Sequence, residues 1–170
     1  MKIGIMSDSH DRLENVEKIV GKFKNASIGA VFHCGDFCSP FVAKKLAPLE
    51  GIPFYAVRGN NDGDILFLNA NFTKLGQIKE NFVKVEIESR KILMLHGHTI
   101  PEEQITDIAL GGHFDIVLYG HYHHLRNEVV GGKTLVLNPG ESCGYLTGEG
   151  SAMIVDLLAK GKQNVEIIKI

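Results

Sequence analysis

Five times along the chain an apolar segment of strand length runs into a residue able to bind a cation. "KIGIMS" leads to Asp8 and His10, "AVFHC" to Asp36, "IPFYAV" to Asn60, "KILML" to His96, and "DIVLY" to His121 and His123. One Asp or His after a strand is ordinarily a turn residue. Five in a row are hard to explain by turn chemistry, and the crevice beyond the carboxyl ends of parallel strands is where α/β sheets gather ligands. The pattern asks for strands that end together.

Between these segments the hydrophobic period changes. Leu13, Val16, Ile19, Val20 and Phe23 recur at helical spacing, and Ser39 with Pro40 predicts the cap and first turn of a short helix stopped near Pro48. The resulting βαβαβ order implies a mostly parallel sheet covered by helices. From Phe82 the reading turns antiparallel. Val83, Val85 and Ile87 alternate with Lys84, Glu86 and Glu88, and an "SR" turn returns the chain as "KILML". Pro101, Ile105, Ile108 and Ala109, closed by Gly111 and Gly112, predict a further helix. "RNEVV" and "TLVLN" flank a Gly131-Gly132 turn, and "AMIVDLL" and "VEIIKI" a Gly161-centred one. Residues 64 to 80 have no clean period. Two sheets packed face to face with helices outside are expected, in a single domain over residues 1–170.

The charge balance narrows the partners. Eighteen basic against 20 acidic side chains leave a formal charge of −2, with no Lys/Arg run longer than a pair, which argues against nucleic acid or a membrane surface as the partner. No run approaches the roughly 20 apolar residues of a membrane span, and "MKIGIM" is too short for a signal sequence. Cys34, Cys38 and Cys143 form no CxxC pair and read as reduced thiols, so a cytoplasmic protein is expected.

The residues at the strand ends offer four imidazoles, two carboxylates and one amide oxygen, a mixture suited to divalent metals of intermediate hardness. Seven ligating groups exceed one open catalytic site and suit two metals sharing a carboxylate, the arrangement that clamps attacking and leaving oxygens in displacement at phosphorus.

"DSH" at 8–10, "GD" at 35–36, "GNND" at 59–62, "HGH" at 96–98 and "GHYH" at 120–123 resemble, in order and spacing, the calcineurin-like metallophosphoesterases. "NPGESCGYLTG" at 138–148 resembles a loop of their small prokaryotic phosphodiesterase branch. The resemblance implies a four-layer αββα sandwich of two mixed sheets flanked by helices. It also implies that Asp8, His10 and His123 bind one divalent metal, that Asn60, His96 and His121 bind the other, and that Asp36 bridges them. A hydroxide bridging the metals would be the nucleophile. Manganese or nickel is favoured among Mn, Fe, Co, Ni and Zn, and relatives suggest a homodimer.

One position departs from the family. Many members carry His where this chain has Asn61, and an amide can donate a hydrogen bond but deliver no proton. Asn61 is therefore expected to contact the ester without acting as a general acid, and His98 becomes a candidate for contacting the substrate's phosphate or orienting a ligand. Without its imidazole partner, Asp62 reads as a turn residue or a support for a ligand. His33 and Cys34 read as core, and His113 and His124 as surface. Two divalent ions, two carboxylates and a hydroxide leave a charge that a diester monoanion neutralises and a monoester dianion overshoots. A phosphodiesterase acting on a small diester is expected, provided that neither Arg58 nor Arg126 reaches the site. The alternatives are a monoesterase or nuclease, or a protein-interaction scaffold of the same fold, as in the retromer coat.

Overall fold

The structure, a computed structural model, describes residues 1–159 and 164–170. Its chain order is β1 (Lys2–Met6), α1 (Leu13–Asn25), β2 (Ala30–His33), α2 (Phe41–Leu46), β3 (Phe54–Val57), α3 (Ile65–Phe72), β4 (Ile78–Lys79), β5 (Phe82–Ile87), β6 (Arg90–Leu95), α4 (Glu102–Leu110), β7 (Ile116–Leu118), β8 (Leu125–Val130), β9 (Thr134–Pro139), β10 (Ser151–Asp156) and β11 (Val165–Lys169). One sheet runs β11-β10-β1-β2-β3-β4 and the other β5-β6-β7-β9-β8. β1 to β4 are parallel, as are β6, β7 and β9, while β10, β11, β5 and β8 pair antiparallel.

Alternation along the strands separates the layers. Ile3, Ile5 and Phe32 face Ile92, Met94, Leu118 and Leu137 between the sheets. Met6, Val31 and Ala56 face the other way, onto Val16, Ile19, Phe23, Val42, Leu46 and Leu68 of α1 to α3. Leu93, Val117 and Val136 pack on Ile105 and Ala109 of α4. The result is the four-layer αββα sandwich. Strands buried on both faces read as continuous apolar runs, which is why "KIGIM" and "KILML" show no polar alternation. Among the described residues, no helix is long and apolar enough to cross a membrane.

Three local readings shift. The hairpin turn is Glu88-Ser89, one residue before "SR", and both residues take the left-handed conformation of a tight turn (φ 50° and 57°). α2 begins at Phe41 with Pro40 as its N-cap, and the Ser39 hydroxyl accepts the Phe41 N–H at 3.3 Å. The unreadable stretch 64–80 holds α3 and β4. Asp64 caps α3 by accepting the Phe67 N–H at 3.0 Å. The apolar Leu66 and Phe67 of α3 face solvent and blur its period. The Gly161 turn lies outside the described residues.

Candidate metal centre at the strand ends

β1, β2, β3, β6 and β7 all end on one side of the sandwich, and the loops that follow carry the predicted residues. The backbone there is bent sharply. Asp8, His10, Asp36, Cys38, His121 and His123 all have positive φ, between 44° and 67°. Non-glycine residues in this conformation cost free energy and cluster where function holds them. The loops interlock through backbone bonds: Asp8 N–H to Gly35 O and His10 N–H to Asp36 O, each at 2.9 Å. Two glycines permit the closeness. A Cβ on Gly59 would stand 2.0 Å from Asp36 Oδ1, and one on Gly120 would stand 1.9 Å from Ser7 Oγ and 2.7 Å from Asp8 Oδ2.

Asp36 lies at the middle of the cluster. Its Oδ1 is 3.5 Å from His96 Nε2 and its Oδ2 is 4.0 Å from His10 Nε2. Asn61 donates to it twice, from its backbone N–H to Oδ1 at 2.8 Å and from its amide Nδ2 to Oδ2 at 2.7 Å. Burial works to raise the Asp36 pKa, but the hydrogen bond and charge of His96 and the Asn61 bonds outweigh it and hold the carboxyl below its usual range.

On one side of Asp36, Asp8, His10 and Asp36 offer ligand atoms within 4.8 Å of one another. His123 Nε2 is 3.4 Å from Asp8 Oδ1, a buried oxygen with no hydrogen-bond partner among the described residues. On the other side, His96 donates from Nδ1 to the Cys34 carbonyl at 2.7 Å, which turns Nε2 toward Asn60 Oδ1 at 3.1 Å. The His121 ring centroid lies 5.2 Å from that of His96. Burial lowers the His121 pKa, favouring the neutral imidazole that a metal requires. The His96 pKa is raised, because Asp36 and Asp8 outweigh its burial. These donors fit divalent metal ions. Oxygens and imidazole nitrogens converge, and the orphaned Asp8 oxygen is one that a cation satisfies.

His98 is exposed, its ring centroid 5.3 Å from that of His96, and burial with the His96 charge lowers its pKa. Asp62 does not orient a neighbouring side chain. Its buried carboxylate accepts the backbone N–H groups of Asp36, Phe37, Cys38 and Gly59 at 2.7–3.1 Å, tying the loop after β3 to the loop after β2. His33 is buried, accepting the Gly35 N–H at Nδ1, so its own proton sits on Nε2 and is donated to Ser9 Oγ at 2.9 Å. Arg58 is engaged by Glu80 and the Asp62 carbonyl, and Arg126 by Glu128 and Thr106.

Sequence reasoning missed three neighbours. Glu141, just past β9, accepts from His123 Nδ1 at 2.9 Å. Its signal was available, since "TLVLN" is a sixth apolar strand running into a carboxylate. Cys38 Sγ lies 3.0 Å from His10 Nδ1, and Cys143 gathers with His10 and His123. Burial first of all pushes both thiols up to about 12, so neither is a thiolate at neutral pH.

The sequence matches the calcineurin-like phosphoesterase superfamily domain over residues 1–160. It is 41% identical over 159 residues to a protein of Methanocaldococcus jannaschii named as a phosphodiesterase, covering 92% of this chain and 93% of that protein. A probable metallophosphoesterase of Bacillus subtilis is 31% identical over 182 residues, covering 98% and 95%. Among solved structures, an archaeal phosphodiesterase superposes with a TM-score of 0.88 at 38% identity over the whole of both chains. Zinc-bound Vps29 from Entamoeba histolytica shares the fold at a TM-score of 0.71 and 21% identity, over 100% of this chain and 98% of that one.

Proposed function

The chain belongs to the calcineurin-like phosphoesterase superfamily and is a metal-dependent phosphoesterase, and from that footing we propose that its residues act as one domain on small phosphodiesters. Asp8, His10 and His123 would hold one metal, Asn60, His96 and His121 the other, and Asp36 would serve both. Manganese or nickel suits this mixture of imidazole, carboxylate and amide, with iron, cobalt and zinc as chemically admissible occupants. The three free cysteines favour a reducing compartment, the cytoplasm.

One observation carries the reading. With its Nδ1–H committed to Cys34, a neutral His96 turns an Nε2 lone pair toward Asn60 Oδ1 and Asp36 Oδ1, two more acceptors. In this arrangement a second proton or a cation among them satisfies all three. The acceptor-rich field that raises the His96 pKa is the same field that recruits a divalent ion.

When bound, the metals supply a water acidified toward neutral pH and positive charge for the phosphoryl oxygens. The chain's own residues do the rest. The Cys34 carbonyl and Glu141 fix the tautomers of His96 and His123, and Asp62 fixes the backbone around Asp36. Asn61 and His98 serve the substrate side, Asn61 as a hydrogen-bond donor that cannot release a proton. Arg126 is held by Glu128, and Arg58, although its charge reaches His98, is paired with Glu80; this neutralisation supports a diester, which brings one negative charge, over a monoester, which brings two.

Asp36→Asn tests the shared carboxylate. Metal content and turnover of bis(4-nitrophenyl) phosphate should fall together, turnover by roughly 100-fold or more and by more than for any other single ligand, because disturbing even an orienting partner costs 10–100-fold. Two bound metals with a near-normal rate in the variant would remove the bridging assignment.

A further inference from the structure

The loop after β9 is held by one carboxylate used in two directions. Glu141 is fully buried. Toward the centre, its Oε2 accepts the His123 Nδ1–H at 2.9 Å, which leaves Nε2 of that ring turned to Asp8 Oδ1 at 3.4 Å. Away from the centre, the same carboxylate accepts the backbone N–H of Tyr145 at 3.1 Å and of Leu146 at 2.9 Å, the N–H of Thr147, and the Thr147 hydroxyl at 2.7 Å. The Cys143 thiol adds a bond at 3.1 Å.

These bonds close residues 143–147 around the carboxylate and set what the loop presents. The Tyr145 ring centroid stands 6.2 Å from that of His10, and its hydroxyl donates to Asp11 at 3.0 Å. The Arg12 guanidinium lies 5.4 Å from the Tyr145 ring centroid. Tyr145 is 52% exposed and Leu146 76% exposed, so an aromatic and an aliphatic side chain form a rim beside the His10 side of the centre.

We propose that Glu141 is a positioning residue that couples the metal site of Asp8, His10 and His123 to the loop forming the substrate rim. A carboxylate serving only to orient an imidazole needs no loop wrapped around it. One serving only to close a loop needs no imidazole. Because both depend on one carboxylate, with Oε2 shared by His123 and Tyr145 and Oε1 taken by Leu146 and Thr147, ordering one favours the other, and the coupling is reciprocal. The rim is therefore set when the metal is bound, and a diester with an aryl or other flat arm is the ligand that Tyr145 and Leu146 suit. The inference rests on His123 being a metal ligand, as proposed above.

The test uses the full chain stripped of metal and titrated with Mn²⁺ by calorimetry. Glu141→Gln keeps an amide oxygen for the loop but loses the second acceptor oxygen, so affinity at one of the two sites should fall about 10–100-fold while the other holds. Thr147→Val removes the hydroxyl's bonds to Glu141 and to the Glu149 backbone and leaves His123 oriented. It should raise KM for bis(4-nitrophenyl) phosphate and, because the coupling is reciprocal, weaken Mn²⁺ at the same site by a smaller factor than Glu141→Gln does. The sequence contains no tryptophan, so Tyr145→Trp gives an emission that reports the loop alone. Mn²⁺ should shift that emission in Tyr145→Trp and leave it unmoved in Tyr145→Trp/Glu141→Gln. Equal Mn²⁺ affinities in native protein and Glu141→Gln, or an emission shift that survives in the double variant, would overturn the coupling. If Glu141→Gln does not fold, an unchanged KM in Thr147→Val overturns it instead. A native protein that binds no Mn²⁺ would remove the ligand assignment itself, and the coupling with it.

Discussion

At the scale of single residues, His33 and Asn61 hold chemistry that titration and kinetics can reach. Burial foremost pushes the His33 pKa down to about 3, against an ordinary 6.5. Below pH 6.5 the unfolded chain takes up a proton that the folded chain refuses until about pH 3. Stability from this residue is thus complete above 6.5 and is lost progressively as pH falls from 6.5 to 3. Urea midpoints of chelator-treated protein should fall through that window, and His33→Gln, which keeps an acceptor for the Gly35 N–H, should flatten the fall. Parallel curves for the two proteins would contradict this. Asn61 tests the chemistry instead. Lacking a proton donor, the native enzyme should hydrolyse nitrophenyl diesters far better than alkyl diesters. Asn61→His should improve poor leaving groups by roughly 10²-fold or more, read as kcat/KM across a series of esters. Asp62 was legible as a turn residue or a support for a ligand, but not as the tie between two loops. Its four backbone donors come from two separate loops, a convergence that no local pattern encodes.

At the scale of elements, the interlocking of strand-end loops decides whether the ligands meet. Gly120 allows the loop after β7 to lie on the loop after β1, where the His121 N–H bonds Asp8 Oδ2 at 3.0 Å. Gly120→Ala should drive these loops apart and lower metal affinity on the order of 10–100-fold, as other losses of ligand orientation do. Circular dichroism should change little. Unchanged Mn²⁺ binding by calorimetry would show that the close approach is dispensable. The elements bearing the proposed ligands were readable because double burial writes them as apolar runs that stop abruptly. α3 was not readable, because Leu66 and Phe67 are exposed while Leu68 and Phe72 are buried, leaving no contrast between its faces. Glu141 went unweighed because its strand was read as part of a hairpin, although β9 also pairs parallel with β7 and ends on the same side as the ligand-bearing strands.

At the scale of the whole molecule, two mixed sheets face each other so that the parallel strands β1, β2, β3, β6, β7 and β9 deliver their ends to one place, and antiparallel strands close one edge of the first sheet and both edges of the second. Zinc-bound Vps29 shares the fold at 21% identity, and a shared fold by itself does not decide chemistry. What decides it is whether the donors converge on metals that turn over an ester. The most direct measurement strips the protein with chelator, confirms by elemental analysis that no metal remains, and follows bis(4-nitrophenyl) phosphate hydrolysis while Mn²⁺ is added in fractions of an equivalent. Two metals sharing Asp36 predict negligible activity at the start and a rise that saturates near two equivalents per chain. Hydrolysis persisting in the metal-free protein, or saturating at one equivalent, would contradict the two-metal account.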